Sequence, residues 1–230
     1  MRKITLIFIF SMGLSNFLLA QTTCNCQPDL DYIYPLIKKT PSYKDQIKGA
    51  KKQAFHSHYL ALKQKAGKES TLYDCFRLMM QLLDPIKDNH MYVRGEAPAV
   101  GREEIRDVSF MKTFRKNPAY QTLPTWEEEV EALEQKLKQK ELNDLEGVYY
   151  YRDIMKIGLV KHAPSDAFYG VVLESALPSW QVGDVMMVMI PIKDQRYQVI
   201  TGRFMNRALL YFQELVGPGY LYTYGWSKIT

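Results

Sequence analysis

GVYYYRDIMKIGLVKHAPSDAFYGVVLES, running from Gly147 to Ser175, decides the fold. Val148–Arg152, Met155–Lys161 and Phe168–Ser175 carry a two-residue rhythm of apolar and polar or small side chains, which is the period of a β-strand. Turn residues separate them: Asp153, then Pro164, Ser165 and Asp166. The same rhythm continues downstream in Val185–Ile192, Tyr197–Phe204, Ala208–Leu215 and Tyr220–Ile229. Gly183-Asp184, Lys193-Asp194, Asn206 and Gly217-Pro218-Gly219 punctuate it. Short strands at even spacing predict an antiparallel meander that curls into a barrel or half-barrel. Met186 to Pro191 carries no charge, so that strand is expected to be buried on both faces. In the last strand Tyr220, Tyr222, Tyr224 and Trp226 are expected to share one face.

Upstream of Gly147 the rhythm is three to four residues. Asp29 to Lys38 is a short predicted helix. Thr40 or Ser42 caps the next, with Pro41 in its first turn. There Tyr43, Ile47, Ala54, Phe55, Tyr59 and Leu62 fall on one broad face, the opposite side is rich in lysine, and Gly67 ends the helix. Ser70 or Thr71 caps a third helix, whose buried stripe is Leu72, Cys75, Phe76, Met79, Leu82 and Leu83, and Pro85 stops it. A further helix is expected between Arg102 and Lys116. Thr125 and Glu128 have the spacing of a capping box. Behind it, Val130, Leu133 and Leu137 form only a thin apolar stripe, so a mostly solvated linking helix is expected there. The class is α+β: a helical region at 21–123, a linking helix at 124–145 and an antiparallel β domain at 146–230.

The first twenty residues read as a signal peptide. Arg2 and Lys3 precede the apolar run Ile4–Leu19, and Ala20 offers a small residue before Gln21. The run is short for a membrane anchor, and no lipid-attachment box precedes Cys24. Residues 1–20 are therefore expected to be removed and the rest exported, periplasmic or secreted, with no membrane span after cleavage. Losing Arg2 and Lys3 lowers the net charge of +5 by two, and the basic residues are spread among acids, so no nucleic-acid partner is expected. Cys24, Cys26 and Cys75 all survive cleavage. A disulfide from Cys24 or Cys26 to Cys75 would close about fifty residues and contribute roughly 3–4 kcal/mol.

Reactive chemistry is harder to find. No Gly-x-Ser-x-Gly elbow occurs. His56 and His58 would lie about 200° apart on a helix, and His162 sits in a turn, so no metal site and no cofactor is expected. Asp88 and His90 form the best polar pair, read as satisfying the backbone of the turn after the third helix. No catalytic residue is assigned. Trp180, between Pro178 and Gly183, reads as an exposed loop contact or a lid on one barrel end. Together with Tyr222, Tyr224 and Trp226 it is the candidate for touching a ligand or partner.

Several motifs together resemble the N-terminal, non-catalytic part of exported bacterial carboxyl-terminal-processing (tail-specific) serine peptidases. They are Cys24-Asn25-Cys26 with Asp29-Leu30-Asp31 and Tyr34, then Thr40-Pro41-Ser42-Tyr43-Lys44, then Asp74-Cys75-Phe76 leading to Ile86-Lys87-Asp88-Asn89-His90. Glu146-Gly147-Val148-Tyr149, Phe168–Ser175, Pro178-Ser179-Trp180 and Gly183-Asp184-Val185 continue the series. The resemblance covers most of residues 24–226. It implies an accessory region that positions a peptide or protein substrate, or docks a downstream peptidase domain. The family's serine and lysine lie in a later domain that no part of this chain matches. The abrupt end at Ile229-Thr230 fits either a strand that seals an edge or a polypeptide that continues. The competing expectation is a stand-alone exported module that binds a peptide or a small apolar ligand.

Overall fold

Residues 23–67, 70–88, 93–95, 97, 99–101, 103–163, 165–192 and 195–229 are described by a computed structural model. The signal-peptide segment, Asn89, His90 and the side chain of Cys24 lie outside the described residues. The described residues open with β1 (Thr23–Cys24), α1 (Gln27–Lys39), α2 (Pro41–Gln46), α3 (Ala50–Lys65), β2 (Ser70–Thr71) and α4 (Leu72–Leu83). Strands β1 and β2 pair antiparallel, Thr23 opposite Thr71, which lays the N-terminal segment beside the start of α4. That placement selects Cys26, which bonds Cys75 with Cα atoms 5.1 Å apart. The bridge joins the N-cap of α1 to the first turn of α4.

Local chemistry explains most helix ends. Thr40 closes α1, its N–H reaching Ile37 O, and caps α2, its Oγ1 accepting from Tyr43 N at 3.2 Å. Thr71 and Asp74 form a reciprocal capping box at α4. The single helix expected from Pro41 up to Gly67 is instead two. Gly49 adopts φ +56°, a conformation open to glycine, and the chain breaks between Ile47 and Gly49 while keeping Ile47 buried. Ala54 faces solvent, whereas Phe55, Tyr59 and Leu62 are buried as expected. In α4, Leu72 is exposed at the open first turn, and Leu78 and Met80 join the buried set. The buried arc is wide because α4 packs on α1 and α3 with one side and on the β half with another.

A 3-10 turn at Glu104–Arg106 precedes α5 (Val108–Phe114), capped by Asp107 Oδ1 on the N–H groups of Ser109 and Phe110. Thr125 does not cap a helix. It forms a β-bridge with Asp184, which holds it extended, and α6 (Val130–Leu137) starts after Glu129. Four of the eight residues of α6 are exposed, as a thin stripe implies, but the stripe itself is firmly seated. Leu133 and Leu137 are buried against Val148, Val160, Val171 and Leu173, and Lys156 links Glu134 at 3.3 Å to Glu174 at 3.1 Å.

The β half is a closed, eight-stranded, wholly antiparallel barrel. Its strands are β3 (Gly147–Tyr151), β4 (Met155–Lys161), β5 (Phe168–Ser175), β6 (Val185–Pro191), β7 (Arg196–Gly202), β8 (Leu209–Gly217), β9 (Tyr220–Leu221) and β10 (Trp226–Ser227). Neighbours in sequence are neighbours in space, and β10 pairs with β3 through Ser227 and Tyr150. Alternation puts Tyr149, Ile157, Leu159, Met187, Met189 and Val199 in the interior, which is filled by side chains. Gly170 leaves room for one of them, since a methyl there would sit 2.5 Å from Met187 Cγ. Gly158 does the same outside, where a methyl would stand 2.6 Å from Leu137 Cδ1 of α6. Met186 to Met189 is buried on both faces.

The last expected strand is the main departure. Residues 222–225 form a turn between β9 and β10, with Gly225 at φ +79°. Glu214, 1% exposed, causes it: its carboxylate accepts from the N–H groups of Leu215 (3.1 Å), Thr223 (2.6 Å) and Tyr224 (3.2 Å). Beyond the turn, Lys228 Nζ donates to the carbonyls of Glu141 (2.8 Å), Asp144 (2.5 Å) and Glu146 (2.8 Å). Among the described residues no helix is long and apolar enough to cross a membrane.

Candidate functional site

One end of the barrel gathers the loops after β3, β5, β7 and β9. Four aromatic side chains meet there. Tyr151 lies 4.8 Å from Phe204, 6.2 Å from Tyr224 and 5.5 Å from Trp226, ring centre to ring centre. Phe212 of β8 stacks on Tyr224 at 5.4 Å. Such tilted and offset pairs are the favoured arrangements of aromatic rings. They plug the barrel end and form an apolar floor.

Above that floor is a cleft of about 620 Å³. Arg203, Phe204 and Met205 of the β7–β8 loop line it, with Leu210 and Tyr224 below and Arg94, Ala97, Ala99 and Val100 opposite. The opposite wall is pinned to the barrel by Gly95 N, which donates to Leu209 O at 3.3 Å. Arg94 and Arg203 are both exposed, and neither has an acidic partner among the described residues. Burial pushes the Tyr224 phenol up to about 12, helped by Tyr151 and opposed by the Arg203 charge. Tyr224 therefore stays a neutral hydroxyl that can donate a hydrogen bond. Two guanidinium forks and a phenol over an aromatic floor suit a ligand with an apolar body and an anionic end.

Of the two places expected for Trp180, the exposed loop contact is not the one taken, since the side chain is 2% exposed. Its indole N–H donates to Phe204 O at 3.1 Å, and its ring lies over Gly202, where a methyl would come within 2.7 Å. Arg207 covers it, the guanidinium lying 4.2 Å from the Trp180 ring and 3.9 Å from the Tyr120 ring while pairing with Asp184 at 3.0 Å. Arg115 and Tyr120 fasten the same loop through the carbonyls of Pro178 and Ser179. Trp180 thus supports the loop that carries Phe204. Tyr222 is 58% exposed and, among the described residues, stacks only on Tyr220, at 6.0 Å. Tyr224 reaches the cleft, and Trp226 is fully buried below it. The four candidates are therefore not one face, and only Tyr224 lines the cleft.

The other polar candidates are held apart. His56 Nδ1 meets Tyr34 OH at 3.0 Å, and His58 Nε2 meets Gln81 O at 2.8 Å, so the two rings serve separate partners. His162 stacks on Tyr169 at 4.1 Å. Asp88 accepts a hydrogen bond from Ser42 Oγ, tying the turn after α4 to α2. Among the described residues no group of three or more histidine, cysteine or carboxylate side chains could hold a metal ion. Sequence reasoning missed Arg94, Arg203 and Phe204. Arg203 and Phe204 end the strand expected at Tyr197–Phe204 but lie in the loop after β7, and Arg94 comes from a distant segment that Gly95 pins to Leu209.

Comparison with protein-family models, with curated proteins and with solved structures found no match.

Proposed function

We propose that this chain is an exported, non-catalytic binding module that takes the anionic end of a peptide or of a small amphipathic ligand at the barrel mouth. The observation that carries the reading is the pair Arg94 and Arg203, without acidic partners among the described residues, set over Phe204 and Tyr224. A planar carboxylate matches the guanidinium fork in two parallel hydrogen bonds, and the aromatic floor takes the adjoining apolar part. Export is supported by the signal-like first twenty residues and is compatible with the Cys26–Cys75 disulfide. A module of this kind would also serve as the accessory region of a tail-specific peptidase, where a free carboxyl end is what must be held.

Titration calorimetry with apolar peptides tests it. A peptide ending in a free carboxylate should bind, its C-terminal amide should bind at least about 10-fold more weakly, and Arg203→Ala should remove that difference. Equal binding of acid and amide, or binding unchanged by Arg203→Ala, would exclude the reading.

A further inference from the structure

The interleaving of charges gives way to a basic run near the N-terminal helices. Residues 38–52 hold six lysines and a single acid, Asp45. The fold concentrates these lysines. The turn at Thr40 folds α2 back beside the end of α1, and the break at Gly49 sets α3 at a new angle. Lys38, Lys44, Lys48 and Lys52 then line one cleft of about 570 Å³, with Tyr43 and His56 in its walls. Asp45 reaches Lys48 at 3.2 Å, an exposed pair that neutralises little. Lys38, Lys44 and Lys52 have no carboxylate partner among the described residues.

Aromatic packing backs the walls. Tyr34 is stacked on Tyr59 at 4.1 Å and on Phe55 at 5.7 Å, and its hydroxyl is held by His56. Tyr43 meets Phe55 edge-on at 5.1 Å. Several like charges facing one cleft repel each other, and a multiply charged anion relieves that repulsion. Ammonium groups are compact point charges without the planar fork of arginine, so they suit a tetrahedral group bearing two or more negative charges better than a lone carboxylate. We infer that the α1–α2–α3 cleft is a second ligand site, separate from the barrel mouth, and that it binds a phosphate-bearing group through Lys38, Lys44, Lys48 and Lys52. A soluble polyphosphorylated molecule and a lipid headgroup both present such a group.

The test uses the whole chain at low salt with two probes, inositol hexakisphosphate and phosphatidylglycerol vesicles. Binding of the first assigns a soluble ligand, and binding of the vesicles alone assigns a headgroup. Either result should weaken about 10-fold or more in the K44Q/K48Q/K52Q variant, three exposed positions, and should fade as salt rises. K112Q/K116Q on and just after α5 should bind as the parent does, and so should Arg203→Ala, which reports only on the barrel mouth. No binding of either probe would overturn the proposal. So would equal losses in the two lysine variants, or a preference for an oligonucleotide of matched charge over both probes.

Discussion

Asp84 stands where α4 ends and meets the barrel. Its carboxylate accepts from Gln198 Nε2 at 2.7 Å and from Tyr211 OH at 2.9 Å, so one side chain ties the helical half to β7 and β8. Burial pushes its pKa up, and this outweighs the lowering by those two donors and by the nearby His58 and Lys87. The folded state therefore holds this proton more tightly than the unfolded chain does. The stability gained from it is complete below the ordinary value of 3.8 and is lost as pH rises through the raised one. Asp84→Asn removes the titration and keeps the shape. The unfolding free energy of the parent, minus that of the variant, should fall with rising pH over that window and then level off. Denaturant melts across the acid range measure this, and a difference that climbs or stays flat would contradict the burial argument.

At the scale of elements, α6 shows how a weak pattern can hide a firm contact. Its apolar stripe of three residues is thin, yet Gly158 lets the helix approach until Leu137 is 1% exposed. Leu137→Ala should cost about 2–4 kcal/mol in a denaturation series. Gly158→Val should cost at least as much by pushing the helix off, and the two losses should not add, because both undo one contact. Most strands of the barrel were legible in the sequence for the converse reason. One face is buried and the other meets helices or water, so burial prints a period of two on the chain. The rhythm misled at 220–229, where Tyr220, Tyr222, Tyr224 and Trp226 alternate but the carboxylate of Glu214 draws the backbone into a turn. It misled again at Gly49, because a glycine's conformation depends on what its neighbours bury. The barrel-mouth cleft left no trace of this kind, since its arginines come from separate loops.

At the scale of the whole molecule, helices and barrel share one apolar core that runs from Leu30 and Phe76 to Met187 and Trp226. The disulfide fastens the far end of that core. Cys75→Ser leaves 49 residues of separation unconstrained in the unfolded chain, which should lower stability by about 4 kcal/mol. Because the core is shared, the loss should appear in a single transition followed at barrel tryptophans as well as at helix ellipticity. Two separated transitions would show that the halves fold independently.

Of the eight staves of the barrel, the two that make its seam are the shortest, two residues each, and they come last in the sequence. Until residues 220–227 arrive, β3 and β8 are raw borders with unpaired backbone groups, ready to accept a strand from any neighbour. A chain clipped just before Tyr220 would thus be left adhesive along two sides, and exchange of these last staves between molecules offers an easy path to a swapped pair.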